Sequence, residues 1–182
     1  HCIRQFAYSS HNRNTIDMVL AVNGIPIVAL ELKNQYTGQN VEHAKLQFET
    51  NRDPSELVFQ FNKRFLVYFA VDHFEVYMTT KLEKSKTYFL PFNQGSNGAG
   101  EVGGKGNPHN KDGYPTAYLW EQVLHRNQFM DILERFMNFE VKKDILIFPR
   151  YHQLDVVNKL VQDVKEHGSG KNYLIQHSAG SG

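Results

Sequence analysis

The dipeptide Asn23-Gly24, set between two apolar runs rich in β-branched residues, most constrains how this chain folds. Asn-Gly favours the left-handed backbone of a tight hairpin turn, so the flanking runs read as antiparallel strands. Before the turn, Ile16, Met18, Leu20 and Val22 alternate with Asp17, Val19 and Ala21. After it, Ile27, Ala29, Glu31 and Lys33 share one face, and Val28, Leu30 and Leu32 share the other. Each strand buries at least one face.

That pattern puts chemistry on the hairpin. Glu31 and Lys33 project from the same face, and Asp17 sits on the preceding strand. Two carboxylates converging on one spot form an oxygen-rich site for Mg²⁺, which takes few protein ligands and keeps several waters. A neighbouring lysine can orient a water or stabilise charge on a phosphate under attack. A glutamate at the buried edge of an apolar strand is costly unless a cation or hydrogen bonds offset it. Register decides whether the carboxylates meet. A plain two-residue turn pairs Asp17 with Leu30 and sends Asp17 and Glu31 to opposite faces. Convergence requires an odd loop, such as residues 23–25, or a β-bulge, and one of these is predicted. The same residues also fit two solvated strand positions on an antiparallel sheet. Gln47, in the helix that follows, either faces the same site or lies on the surface.

Further along, residues 41–50 have helical spacing, with Val41, Ala44, Leu46 and Phe48 apolar. Residues 55–61 predict a short helix entered at Asp53-Pro54. Residues 65–71 and 74–79 predict a second strand pair joined near Asp72-His73, and residues 87–90 a short strand ending at Pro91. Residues 93–115 hold seven of the thirteen glycines and read as a long loop, with His109 exposed to solvent. Helices are predicted over 117–125 and 128–137, with Leu119, Trp120, Val123, Leu124, Ile132, Leu133 and Phe136 as core. A helix over 151–167 is stopped by Gly168-Ser169-Gly170. A strand over 172–176 leads into Ser178-Ala179-Gly180-Ser181-Gly182.

Composition excludes several classes. One cysteine, Cys2, rules out a disulfide framework and a cysteine-rich zinc site. Hydrophobic residues make up 41% of the chain, which is globular, and the longest apolar run, near residues 65–71, is far short of a membrane span. Lys and Arg number 20 against 19 Asp and Glu, so no basic arm simply coats nucleic acid. The near-neutral balance leaves open a nuclease, whose metal site consumes carboxylates. The chain starts at His1 and stops inside a glycine-rich phrase, so it reads as a piece of a longer protein.

The terminal phrase, Ser178 to Gly182 after a strand, looks like the start of a phosphate-cradling loop, whose backbone N–H groups turn toward a nucleotide. His177 stands where such loops have their first glycine, and the lysine that completes the motif is not in the chain. This stretch alone is not expected to hydrolyse ATP. Upstream, Gln153 opens a helix, and its amide can read both a donor and an acceptor on an adenine edge. It also fits an ordinary residue of a helix N-terminus.

In order along the chain, Asn14-Thr15-Ile16-Asp17, Val22-Asn23-Gly24-Ile25-Pro26 and Leu30-Glu31-Leu32-Lys33-Asn34 resemble the restriction (R) subunit of type I restriction-modification enzymes. So do Phe69-Ala70-Val71-Asp72, Phe89-Leu90-Pro91-Phe92-Asn93, Tyr118-Leu119-Trp120-Glu121 and Phe148-Pro149-Arg150-Tyr151-His152-Gln153-Leu154. The resemblance implies an α/β fold, a mixed sheet flanked by helices with a PD-(D/E)xK restriction-endonuclease-like core. It implies an endonuclease domain over residues 1–140 and the start of a helicase-type ATPase motor over 141–182. Asp17 and Glu31 would bind Mg²⁺ and Lys33 would be the catalytic lysine. Gln47 matches the Gln of a Gln-x-x-x-Tyr motif, with Asn51 in place of the Tyr. Gln153 matches an adenine-reading Gln, and Ser178, Ala179, Gly180, Ser181 and Gly182 match the ATP loop. The whole protein would be a cytoplasmic, ATP-driven DNA translocase and endonuclease acting on double-stranded DNA. Its partners would be the methyltransferase (M) and specificity (S) subunits, with S-adenosylmethionine used only by the former. Two other readings remain: a non-catalytic docking module, with Glu31 and Lys33 as a strand-surface ion pair, and a methylation-dependent or repair nuclease with the same core.

Overall fold

The computed structural model describes residues 1–177. Strand β1 spans Cys2–Ala7, β2 Thr15–Val22 and β3 Ile25–Leu32, and they are followed by helix α1, Val41–Asn51. Strands β4 (Val67–Val71), β5 (Val76–Thr79) and β6 (Leu90–Pro91) complete a six-stranded sheet in the order β1-β2-β3-β4-β5-β6. All neighbours are antiparallel except β3 and β4, which run parallel because α1 carries the chain across between them. The fold is therefore mixed α/β.

Burial follows the strand alternation. All five residues of β4 are buried, as a strand covered on both faces requires. On one face Val19, Ala29, Tyr68 and Ala70 pack with Val41, Ala44 and Phe48 of α1 and with Phe59 and Phe65. On the other, Val28, Leu30, Val67, Phe69 and Val71 pack with Leu119, Val123, Phe129, Ile132, Phe148, Tyr151 and Leu154. The start of α1 is fixed locally. The Asn40 side chain accepts from Glu42 N at 3.2 Å, and His43 Nδ1 accepts from Asn40 N at 3.2 Å.

After the loop over residues 93–115, Leu119–Val123 and Ile132–Phe136 are π-helical turns flanking α2 (Arg126–Asp131). Strands β7 (Asn138–Glu140) and β8 (Ile145–Ile147) form a separate hairpin before α3, Tyr151–His167. His109 is exposed, as expected.

Four local expectations are corrected. Residues 55–61 form a succession of turns, not a helix. Asp53 Oδ1 accepts from Ser55 N at 3.0 Å, and a helix this short lacks the length to repay nucleation. The short strand predicted over 87–90 shrinks to Leu90–Pro91, where β5 offers a pairing edge. Trp120 is 44% exposed, because the flanking Leu119 and Val123 take the inward positions of their π-helical turn. Residues 172–176 form no strand, since no described segment pairs with them, and Leu174 is 93% exposed.

Candidate active site

The site begins with register. Asn23 and Gly24 have φ of 50° and 82° and form the expected two-residue turn. Val22 then pairs with Ile25 and Ala21 with Pro26, but Leu20 pairs with Val28. Ile27 is the extra residue of a β-bulge. Beyond it Val19 meets Ala29 and Met18 meets Leu30, where the ladder ends, and the Asp17 side chain then reaches β3 to accept from Leu32 N next to Glu31. The bulge thus undoes the offset that the turn imposes, and the Asp17 carboxylate comes close enough to Glu31 to raise its pKa.

Asp17 Oδ2 accepts from Leu32 N at 2.9 Å, and Oδ1 accepts from Gln5 Nε2 at 3.3 Å. Thr15 Oγ1 donates to Gln5 Oε1 at 2.7 Å, which fixes the Gln5 amide with its nitrogen toward Asp17. Glu31 is fully buried. Its Oε1 accepts from Nε of Arg52 at 3.0 Å and from Nη2 at 2.5 Å. Arg52, 2% exposed, is locked in turn: Nη2 donates to Thr15 O at 2.7 Å and Nη1 to the Tyr8 hydroxyl at 3.1 Å. Glu31 Oε2 is buried and has no hydrogen-bond partner.

Burial pushes the Glu31 carboxyl up to about 7. Arg52 opposes that shift, and the negative charge of the nearby Asp17 carboxylate adds to it. Lys33 Nζ donates to Gln47 Oε1, so α1 supplies the residue that holds the lysine. The structure therefore sets Asp17 beside Glu31 and Lys33 beside Gln47, as two pairs two residues apart on the chain that forms β3. It adds Arg52, which the sequence reading missed. The available signal was the cost of burying Glu31, which demands a cation nearby; nothing in the spacing pointed to a residue just past the end of a helix. Gln5 and Tyr8 were missed with β1 itself.

Among the described residues, no three His, Cys, Asp or Glu side chains gather as a metal-binding group. A pair of carboxylates is nevertheless a donor set suited to Mg²⁺, which tolerates few protein ligands. The unpartnered Oε2 of Glu31 is the atom such an ion would satisfy.

At the other end of the chain, Gln153 Oε1 accepts from Arg150 N at 3.0 Å and closes the first turn of α3. The neighbouring His152 ring meets the His177 ring edge-on at 4.9 Å. The chain entering the glycine phrase thus returns to the start of α3. Ser178, Ala179, Gly180, Ser181 and Gly182 lie outside the described residues.

These features define a mixed α/β domain that carries a carboxylate pair, a tethered lysine and a buried arginine on one face of its sheet. Residues 1–87 match the family described as the Type I restriction enzyme R protein N terminus, so the resemblance holds over that stretch. R subunits of that family work in a complex with other subunits and with DNA. No curated protein and no solved structure matches the chain. Among the described residues, no helix is long and apolar enough to cross a membrane.

Proposed function

We propose that the chain carries the Mg²⁺-dependent endonuclease site of a type I restriction enzyme R subunit and hydrolyses DNA phosphodiester bonds in restriction of foreign DNA. The observation that carries this reading is the Asp17 carboxylate held against β3 beside Glu31, with Glu31 Oε2 buried and unpartnered. Asp17 and Glu31 would hold the ion, in a core of the PD-(D/E)xK type. A bound Mg²⁺ would act as Lewis acid toward the scissile phosphate and lower the pKa of a water. The chain's own residues do the rest. Leu32 N and Gln5 fix the Asp17 carboxylate. Gln47 holds the Lys33 ammonium, two residues past Glu31, where it would orient a water or offset charge on the phosphate.

The docking alternative expected Glu31 and Lys33 to pair on the strand surface. Glu31 is instead buried against Arg52, and Lys33 is bound by Gln47. The approach of His177 to His152 supports an ATP site built from Gln153 and the residues from Ser178 onward, opening a motor unit near residue 141. In the whole protein that motor would translocate double-stranded DNA in the cytoplasm, together with M and S subunits. The deciding experiment is DNA cleavage by the complete enzyme carrying Asp17→Ala or Lys33→Ala. Cleavage is lost while DNA binding remains; wild-type cleavage by both variants would falsify the assignment.

A further inference from the structure

We infer that Arg52 is a positioning residue that reduces Glu31 to a one-oxygen ligand for a divalent cation. This rests on the endonuclease reading above and goes beyond it. A buried carboxylate can offer two oxygens to metals, either both to one ion or one to each of two. Here Oε1 is committed: it accepts from both Nε and Nη2 of Arg52. The guanidinium has little room to give way, since Thr15 O and the Tyr8 hydroxyl hold its other nitrogens and the Tyr8 ring lies 5.3 Å from Cζ. Asp17 is oriented as well, with Leu32 N donating to Oδ2 and Gln5 Nε2 to Oδ1. Of the Glu31 carboxylate, Oε2 is the oxygen left for an ion.

The fork geometry matters as much as the charge. Two N–H groups converging on one oxygen fix the carboxylate plane before any metal arrives, so binding requires no reorientation of Glu31. Partners that orient metal ligands in this way are worth roughly 10–100-fold in metal affinity or activity. The charge alone predicts the reverse, since removing a cation beside a metal site should tighten metal binding. The two effects therefore have opposite signs and can be separated.

The test is Mn²⁺ titration of the complete R subunit without nucleotide, followed by electron paramagnetic resonance. Asp17→Asn should remove Mn²⁺ binding at this site relative to wild type. Unchanged Mn²⁺ binding in Asp17→Asn would overturn the endonuclease reading, whereas the Arg52 variants decide the positioning role. With Arg52→Met, Mn²⁺ affinity at this site should fall about 10–100-fold. Arg52→Lys, which keeps the charge but not the fork, should recover only part of it. Equal or tighter Mn²⁺ binding by Arg52→Met would refute the positioning role. If Arg52→Met does not fold, wild-type Mn²⁺ affinity in Arg52→Lys would refute the role of the fork.

Discussion

Lys33 Nζ donates to Oε1 of Gln47, tying the residue just past β3 to the middle of α1. A lysine on a four-carbon stem samples many positions, and its usefulness at a reacting phosphate depends on being held in one. Gln47→Ala removes the acceptor and leaves the charge. DNA cleavage by the complete enzyme should fall on the order of 10-fold in kcat, with KM for DNA unchanged. A rise in KM at constant kcat would instead make Gln47 a DNA contact.

Glu31 gives the site a pH signature that is visible without metal. Its folded pKa is raised from 4.5 to about 7, chiefly by burial. Between those values the folded chain holds a proton that the unfolded chain has released. The stability contributed by this group is therefore complete below the ordinary glutamate range and is lost as pH rises toward 7. The full change is roughly 3 kcal/mol. Urea unfolding in EDTA should show wild type losing stability relative to Glu31→Gln between about pH 5 and about pH 8. A pH-independent difference would mean that Glu31 stays ionised against Arg52 throughout.

Asp72 supports the site from a distance. It is buried, and its carboxylate accepts from Val41 N at 2.9 Å and from Phe74 N and Glu75 N at 2.8 Å each. It thereby pins the first turn of α1, where a carboxylate also meets the positive end of the helix, to the β4–β5 turn. Asp72→Ala strips these N–H groups of their acceptor and should destabilise the fold by about 3 kcal/mol. Asp72→Asn keeps an acceptor and should cost less. Equal unfolding midpoints for the Ala variant and wild type would show that water replaces the carboxylate at no cost.

The hairpin, α1, the β4–β5 pair and α3 were legible because each has a strong period and a clear stop: Asn-Gly for the hairpin, glycine after His167. The need for a bulge was legible too, because Asp17 and Glu31 have fixed parity and a two-residue turn places them on opposite faces. The particular bulged residue, Ile27, was not, since any of several positions would restore the register. Arg52 was hidden for a different reason. Its role depends on where the end of α1 falls over β3, which is a tertiary fact with no trace in local spacing. The π-helical turns at 119–123 and 132–136 escaped because helical periodicity does not distinguish the wider turn.

The aromatic core on the face opposite α1 gives a last prediction. Phe69 of β4 is fully buried, and the Phe148 ring, just before α3, meets it edge-on at 5.8 Å. Phe92 approaches both, at 5.4 Å from Phe69 and 6.1 Å from Phe148. If residues 148–154 are held to the sheet through this cluster, the two sides should be energetically coupled. Phe69→Ala should cost about 3–5 kcal/mol, since a buried ring leaves a cavity that the β-sheet cannot collapse into. In a double-mutant cycle with Phe148→Ala, the coupling should be about 0.5–1.5 kcal/mol, the range of an edge-on aromatic pair. Strict additivity of the two substitutions would show that α3 is anchored elsewhere, through Tyr151 and its hydroxyl contact with Gln94. Hydrogen exchange adds a second reading. Phe148→Ala should release protection in the first turn of α3 while leaving β4 protected, because β4 remains covered from the α1 face by Phe48, Phe59 and Phe65.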